Sequence, residues 1–244
     1  MAFVFMNVYS KSLKRNTSLT AVFPTDLPQK KTENNLYYER SMKILYVLHG
    51  MECDMLEWPL RSNITELAYK YNLAVIAPSG ESRWYVDHAG EDEKCGRFTG
   101  EELVAVTRKM FSLSDRREDT LIAGFSMGGF GAIMNGFAYP DIFGKIGAMA
   151  PGGFWEEKPL FDRGEGPSLE DLADRLALEC QLGQIDLDVY VGKEDFLLEE
   201  NRRLFKFCRE KNIKMKYTEG EGGHHWSSWN MYLEEMVQNL TEAR

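Results

Sequence analysis

The sequence predicts an α/β fold, a mostly parallel sheet with helices on both faces. From Met42 onward, short apolar runs alternate with segments whose apolar residues recur at helical spacing, the pattern of strands joined by crossover helices. The runs at 44–48 and 73–77 are apolar throughout, as expected of strands buried on both faces. The 244 residues, 43 % hydrophobic and 27 % charged, suffice for a large core. We therefore expect a single domain over residues 1–244.

Two strands are predicted before the alternating region. Residues 3–9 and 19–23 are mostly apolar and indicate an antiparallel pair at the start of the chain. Residues 24–40 are polar and contain Pro24 and Pro28, which predicts a loop or hairpin.

Helix starts in the alternating region are indicated by capping-box patterns. Asn63 with Glu66, and Thr99 with Glu102, have the required spacing, and they predict a helix over 63–71 and another that begins near Thr99. The remaining predicted elements are strands at 121–123, 145–149, 185–191 and 213–219 and helices at 127–137, 197–211 and 229–240.

The segment 151–184 interrupts this alternation and is predicted to be an inserted cap. It follows a predicted strand, at the end of the sheet where ligands bind in such folds. Within it, Leu169, Leu172 and Leu176 share an apolar face, and Ser168 is a candidate N-cap. The segment therefore contains one predicted helix.

The charge balance argues against several classes of partner. The net charge is −9 and the pI is near 5.1, whereas nucleic acids and anionic membranes bind basic surfaces. No apolar run reaches the ~18 residues of a membrane helix, and the first ten residues lack the basic start of a secretory signal. We expect a cytoplasmic protein that binds neither nucleic acid nor membrane.

The cysteine spacing and the missing motifs argue against disulfides, metals and nucleotides. The four cysteines lie far apart without a C-x-x-C pair, at Cys53, Cys95, Cys180 and Cys208. Such spacing favours reduced thiols. The chain lacks the H-E-x-x-H, G-x-x-x-x-G-K-[ST] and G-x-G-x-x-G motifs, so we expect no metal and no cofactor.

A G-x-S-x-G pentapeptide supplies the candidate nucleophile. It runs from Gly124 to Gly128, after the predicted strand at 121–123 and at the start of the helix at 127–137. In a strand-turn-helix context this pentapeptide forms a nucleophile elbow. The turn needs very small neighbours, and the helix N-terminus directs free N–H groups toward a developing oxyanion. Ser126 is therefore the candidate nucleophile.

A serine nucleophile needs a base and an acid that orients the base. Where such an elbow occurs in hydrolases, the chain order is Ser, acid, His, and only His224 and His225 of the four histidines follow Ser126. They lie in a glycine-rich loop after the last predicted strand. Glu194 and Asp195 follow the strand before it, and the pattern alone leaves open which of them is the acid.

An oxyanion hole needs two hydrogen-bond donors. The backbone amide of Met127, directly after Ser126, is one candidate. The other is the amide of Met51, in the loop after the strand at 44–48, where Gly50 allows close backbone approach. We expect His49 in the same loop to be structural, bonded to backbone groups.

Aromatic residues are concentrated in loops that follow predicted strands. If these loops meet around Ser126, they form a rim for an acyl chain, an aryl group or a sugar face. Trp229 is expected in the core instead, because it lies on the apolar face of the last helix. The candidate substrate-binding residues are Trp58, Trp84, Tyr85, Trp155 and Trp226.

Five motifs together resemble a known family. They are L-H-G-M at 48–51, W-Y-x-D at 84–87, I-A-G-F-S-M-G-G-F-G at 122–131, G-K-E-D-F-L at 192–197 and G-G-H-H-W-S-S-W at 222–229. From about Met42 to the end, the chain resembles the esterase D-like α/β-hydrolases. The likeness extends to tributyrin and acetyl esterases and to the feruloyl (cinnamoyl) and acetylxylan esterases of carbohydrate esterase family 1.

This resemblance implies the α/β-hydrolase fold and assigns roles by motif position. Ser126 takes the place of the nucleophile, Asp195 that of the acid and His224 that of the base. His225 stands where relatives carry an acidic or amide residue. Cys53 follows the oxyanion glycine, as in the related S-formylglutathione hydrolases, which keeps thioesters among the substrates.

The resemblance implies a serine carboxylesterase that hydrolyses short-chain acyl or aryl esters through an acyl-enzyme. The expected partner is a small-molecule ester, such as an acylated sugar or a phenolic ester, and the family allows a homo-oligomer. The alternatives are thioester hydrolysis or acyl transfer to an alcohol on the same machinery, and a non-catalytic carbohydrate-binding protein with the same fold.

Overall fold

One eight-stranded sheet organises the molecule. The computed structural model describes residues 2–155 and 166–242. The strands are β1 (Ala2–Ser10), β2 (Arg15–Phe23), β3 (Lys43–Leu48), β4 (Leu73–Pro78), β5 (Thr120–Phe125), β6 (Lys145–Met149), β7 (Asp186–Gly192) and β8 (Lys214–Gly220). Their order across the sheet is β1-β2-β4-β3-β5-β6-β7-β8.

The sheet is parallel except at one side. β1 pairs with β2, and β2 with β4, in antiparallel orientation, whereas the other neighbours are parallel. Every residue of β3, β4 and β5 is buried, in agreement with their apolar sequences. The predicted mostly parallel sheet with an antiparallel start is confirmed.

Helices cover both faces of this sheet. They are α1 (Gln29–Thr32), α2 (Glu57–Arg61), α3 (Ile64–Lys70), α4 (Cys95–Arg97), α5 (Leu103–Phe111), α6 (Met127–Ala138), α7 (Leu169–Leu178), α8 (Leu198–Glu210) and α9 (Trp226–Thr241). A π-helical turn, Phe98–Glu102, joins α4 to α5. One core cluster contains apolar residues of α5, α6, α7 and α8, and the other contains those of α3 and α9, so the predicted helices on both faces are confirmed.

Neither of the two capping boxes predicted in the alternating region forms. The Asn63 side chain makes no cap hydrogen bond, and the Ile64 amide donates to Ser62 Oγ instead. Thr99 lies inside a helix that has already begun, where its hydroxyl donates to the Cys95 carbonyl. The same spacing also occurs within helices, so it does not locate a helix start by itself.

The side chain of Glu102 binds another part of the molecule. Its carboxylate accepts hydrogen bonds from the Lys11 and Ser12 amides in the turn between β1 and β2. At α7, by contrast, the capping box between Ser168 and Asp171 is complete, as the sequence predicts for the Ser168 cap.

The predicted cap, 151–184, is described in part. Its helix α7 packs against α6, and Arg175 donates to the Phe137 and Ala138 carbonyls at the carboxyl end of α6. Ser126 lies at the opposite end of α6, ~18 Å away for twelve residues. Residues 156–165 of the predicted cap lie outside the described residues.

Within residues 2–155 and 166–242, no helix combines the length and apolar character needed to cross a bilayer.

Candidate active site

Ser126 occupies a sharp turn between β5 and α6. Its backbone has φ 54° and ψ −124°, a region that non-glycine residues rarely adopt and that costs roughly 1–3 kcal/mol. The turn is held by a hydrogen bond from the Ser126 amide to the Met149 carbonyl on β6. The strained turn is the nucleophile elbow that the pentapeptide predicts.

The two outer glycines of the pentapeptide make this turn possible. A Cβ atom on Gly124 would lie 2.1 Å from the Gly128 carbonyl oxygen, and one on Gly128 would lie 2.1 Å from the Leu48 carbonyl oxygen. Both contacts are with backbone, which cannot rotate away. The elbow therefore closes only with glycine at positions 124 and 128.

His224 lies between Ser126 and Asp195. Its Nε2 is 2.9 Å from Ser126 Oγ, and its Nδ1 is 2.9 Å from Asp195 Oδ2. An ionised carboxylate only accepts hydrogen bonds, so Nδ1 carries the proton and Nε2 can accept the serine proton. Phe196 and Trp229 flank the imidazole, with ring centroids 4.6 and 5.0 Å from it.

The structure distinguishes Asp195 from Glu194. The Asp195 side chain is fully buried, and its Oδ1 also accepts the Leu197 amide at 2.9 Å. Glu194 is exposed and lines a different, open cavity. Of the two carboxylates, only Asp195 is in contact with the imidazole.

His225 does not reach Ser126 in this arrangement. It is the N-cap residue of α9, where its Nδ1 accepts hydrogen bonds from the Ser228 amide and the Ser227 hydroxyl. Aspartate and asparagine perform this role at many helix starts. In this chain the imidazole thus serves as the helix cap of α9.

The backbone amides of Met51, in the loop after β3, and of Met127, at the start of α6, are the two predicted oxyanion donors. Met127 is the first residue of α6, where helix N–H groups have no acceptor within the helix. Met51 lines the same cavity as Ser126. A Cβ atom on Gly50 would lie 2.6 Å from the Phe125 ring, so glycine allows this loop to approach the elbow.

His49 fixes the loop that carries Met51. Its Nδ1 donates to the Gly50 carbonyl at 2.7 Å, and its Nε2 accepts the Gly80 amide at 2.7 Å. A trans peptide directs its C=O and N–H to opposite sides, so the first bond also sets the direction of the Met51 N–H. Burial lowers the pKa of His49, which favours the neutral ring these bonds require. The predicted structural role of His49 is confirmed.

A cavity of about 430 Å³ opens beside Ser126 and His224. Its lining includes four aromatic residues, Phe125, Phe196, Trp226 and Trp229, and the charged residues Glu52, Glu57 and Arg61. Such a mixture of aromatic residues and few polar groups is typical of small-molecule sites.

Of the five predicted substrate-binding residues, Trp226 lines this cavity. Trp58 is 0 % exposed and donates its indole N–H to the Leu48 carbonyl at 3.0 Å. It packs behind Phe125 and Trp226, with ring centroids 5.6 and 5.3 Å away. Trp58 therefore supports the cavity lining without reaching a ligand, which corrects the prediction.

The other three predicted residues also lie elsewhere. Trp84 is buried against Phe130. The buried Tyr85 hydroxyl bonds the His49 amide and carbonyl, and so stabilises the Met51 loop from behind. Trp155 packs against Phe207 and under the Arg203 guanidinium. Loop position alone did not indicate which way these side chains point.

Several cavity residues were not predicted from the sequence. Trp229 lies in the first turn of α9, where the apolar face that buries the helix also reaches the cavity. Glu57 and Arg61 are four residues apart on α2, on one face, and Glu57 accepts the Trp226 indole N–H at 2.6 Å. Helix α2 has five residues, including a proline, too few for a periodic signal. The motif G-K-E-D-F-L contains Phe196 but gives no sign of its contact with His224.

The Cys53 thiol lines the cavity but is a poor nucleophile. Burial, together with the nearby Glu57 and Asp54 carboxylates, raises its pKa to about 11, so it stays protonated at neutral pH. All four cysteines are free. Within the described part of the chain, no cluster of three His, Cys, Asp or Glu residues could hold a metal ion.

Known proteins are similar to this chain in sequence and in fold. Residues 10–240 match the esterase family, described as "Putative esterase". An acetyl esterase of Caldicellulosiruptor saccharolyticus is 35 % identical over an alignment of 258 positions that covers 96 % of each chain.

Solved structures from Staphylococcus aureus superimpose over almost the whole chain. The fluorophosphonate-binding serine hydrolase F has a TM-score of 0.83 at 22 % identity, covering 99 % of both chains. An S-formylglutathione hydrolase has a TM-score of 0.81 at 22 % identity, again covering 99 % of both chains. The fold is thus that of the α/β-hydrolases. The chain belongs to the esterase family whose profile spans residues 10–240.

Proposed function

We propose that this carboxylesterase uses Ser126 as its nucleophile, His224 as its base and Asp195 as the acid that orients the base. The observation that carries the proposal is the continuous pair of hydrogen bonds through His224, both 2.9 Å long. It is supported by the strained elbow, which presents Ser126 at the start of α6.

In the proposed reaction, Ser126 Oγ attacks the ester carbonyl while His224 Nε2 takes its proton. Asp195 stabilises the resulting imidazolium. The amides of Met51 and Met127 bind the oxyanion, and each such donor typically contributes about 3 kcal/mol of barrier lowering. His224 then protonates the departing alcohol, and water hydrolyses the acyl-enzyme with His224 again as base.

The proposed substrates are short-chain acyl or aryl esters, including acylated sugars and phenolic esters. The aromatic residues of the cavity offer an apolar surface for an acyl chain, an aryl ring or a sugar face, while Glu57 and Arg61 offer hydrogen bonds to hydroxyl groups. The acetyl esterase named above is 35 % identical, which supports acetyl esters among the substrates.

The test is hydrolysis of p-nitrophenyl acetate, butyrate and octanoate by the wild type and Ser126→Ala. Loss of a triad nucleophile lowers kcat on the order of 10⁴ to 10⁶-fold. The exposed Ser41, changed to alanine, is the matched control and should keep wild-type rates. An active Ser126→Ala variant would overturn the assignment and favour another chemistry, whereas an inactive wild type would favour the non-catalytic carbohydrate-binding alternative.

Thioester hydrolysis is a second candidate, favoured by the structural likeness to an S-formylglutathione hydrolase and by Cys53 in the cavity. Acyl-thiol and acyl-oxygen esters with the same acyl group would be compared, with and without added alcohol. A higher kcat/KM for the thioester would assign thioesterase activity, and alcohol-dependent product would assign acyl transfer.

We also propose that the enzyme acts in the cytoplasm. Support comes from the four unpaired thiols, which suit a reducing compartment.

A further inference from the structure

Arg61 differs from the other arginines of the chain because its guanidinium has no partner within the protein. Its exposed side chain lines the cavity beside Ser126. Within residues 2–155 and 166–242, the Arg61 guanidinium forms no ion pair, no hydrogen bond and no contact with an aromatic ring. Each of the other described arginines binds a carboxylate, a backbone or hydroxyl oxygen, or an aromatic ring. The Arg61 guanidinium is therefore available to a ligand.

The backbone of Arg61 is held in place, although its guanidinium is free. Arg61 is the last residue of α2, and its carbonyl accepts a hydrogen bond from Asn230 Nδ2 on α9 at 3.0 Å. One turn earlier on α2, the buried Trp58 donates to the Leu48 carbonyl at the end of β3. The Arg61 side chain thus starts from a position that is fixed relative to the strand and the helix beside the site.

Arg61 is also the one lysine or arginine among the described residues that line this cavity. The carboxylates of Glu52 and Glu57 line it too, but neither lies within ion-pair distance of the guanidinium. Glu57 instead accepts the Trp226 indole N–H at 2.6 Å. An unpaired guanidinium binds planar anions, and above all carboxylates, through two parallel hydrogen bonds.

A chain of contacts places Arg61 on the side of the catalytic base. Trp229 packs against the His224 imidazole with ring centroids 5.0 Å apart, and Trp226 packs against Trp229 at 5.4 Å. Trp226 is bonded in turn to Glu57, which lies one helical turn before Arg61. In the proposed mechanism, His224 gives its proton to the oxygen of the departing alcohol, so the alcohol part of the ester occupies this side of the cavity.

We infer that Arg61 is a specificity-determining residue that binds a carboxylate on the alcohol part of the ester. The inference rests on the proposed function, because the mechanism assigns the alcohol to the side of His224. The guanidinium donates two hydrogen bonds to the carboxylate, while the rings of Trp226 and Trp229 contact the carbon skeleton of the alcohol. The preferred substrates are thus short-chain esters of hydroxy acids or acidic sugars.

The test compares acetyl esters that differ in one charge. The acids meta- and para-acetoxybenzoate carry a carboxylate on the alcohol part, and the corresponding acetoxybenzamides are neutral compounds of similar shape. In Arg61→Gln, kcat/KM for the acids should fall about 10-fold more than kcat/KM for the amides, the typical effect of losing a charged hydrogen bond. Each substrate is compared with itself in the two proteins, so the different reactivities of the leaving groups cancel.

Arg209→Gln is the matched control. Arg209 is exposed on α8 and lies outside the cavity, with its guanidinium 5.8 Å from the centroid of the Phe205 ring. This variant should hydrolyse acids and amides at wild-type rates. Added salt should lower the wild-type kcat/KM for the acids, because exposed charges are screened, and this dependence should disappear in Arg61→Gln.

Equal losses for acids and amides in Arg61→Gln would overturn the inference, as would no loss for either. A third substrate, para-nitrophenyl hemisuccinate, carries its carboxylate on the acyl part. A selective loss for this ester alone would place the anion on the acyl side and also contradict the inference. If the wild type hydrolyses none of these esters, the proposed function itself is contradicted, whereas hydrolysis that does not depend on the Arg61 charge contradicts only the inference.

Discussion

Asp195 and Glu194 are sequence neighbours with different environments, and this difference predicts unequal effects of amide substitution. Asp195→Asn leaves the geometry in place but removes the charge that holds Nδ1–H and stabilises the imidazolium. We expect kcat to fall ~10⁴-fold, as for a triad aspartate. Glu194→Gln is the matched control and should stay near the wild-type rate. Equal losses in p-nitrophenyl acetate hydrolysis would contradict the assignment.

His49 predicts a pH dependence of stability. Its pKa is lowered by burial from 6.5, so below pH ~6.5 the unfolded chain binds the proton more readily than the folded one. The free energy of unfolding should therefore decrease as the pH falls from ~6.5 toward the lowered pKa. Urea unfolding of the wild type and His49→Asn between pH 7 and 5 measures this. The contribution of His49 would be refuted if both proteins lose stability equally.

At the residue scale, the sequence predicted best where a local rule applies. The backbone of the elbow requires glycine at positions 124 and 128. The G-x-S-x-G pattern between a strand and a helix therefore predicts that Ser126 is the nucleophile. The tryptophans follow no such rule. Trp58 and Trp226 both lie near strand ends, yet one is buried behind the other because Trp58 bonds the Leu48 carbonyl. The direction of a side chain in a loop depends on tertiary packing, because loops have no periodic pattern like that of a helix or a strand.

The turn between β5 and α6 should not tolerate a side chain in place of Gly124 or Gly128. Gly128→Ala would place Cβ 2.1 Å from the Leu48 carbonyl oxygen, which forces α6 away from β3. Overpacking typically costs about 1–3 kcal/mol, and contact with backbone suggests the upper end or more. Gly183→Ala is the control, since a Cβ there meets nothing within 4 Å. Thermal unfolding should separate the two, and a wild-type melting temperature for Gly128→Ala would contradict the prediction.

At the element scale, apolar runs located the strands because β3, β4 and β5 are buried along their whole length. Helix starts were less predictable. Ser168 with Asp171 forms the expected cap, whereas Thr99 with Glu102 does not, because Glu102 binds the β1–β2 turn. That contact joins residues about ninety positions apart, and nothing in the local sequence indicates it.

For the whole molecule, the alternation of strands and helices was sufficient to predict the layers and to place the site at the carboxyl ends of the strands. The alternation does not determine the order of the strands. The position of β4 between β2 and β3 depends on the antiparallel pairing with β2, which is a long-range choice. The fold class was therefore predictable from the alternation of strands and helices, whereas the order of the strands in the sheet required the structure.

The last helix ends far from the site. Lys145, the first residue of β6, donates to the Asn239 and Glu242 carbonyls, so this end of α9 lies at the amino end of the parallel strands. Ser126 follows the carboxyl end of the neighbouring β5, one strand length away, ~17 Å for five residues. An enzyme immobilised on a solid support through a linker at Glu242 would therefore present its cavity to the solution, open to substrate.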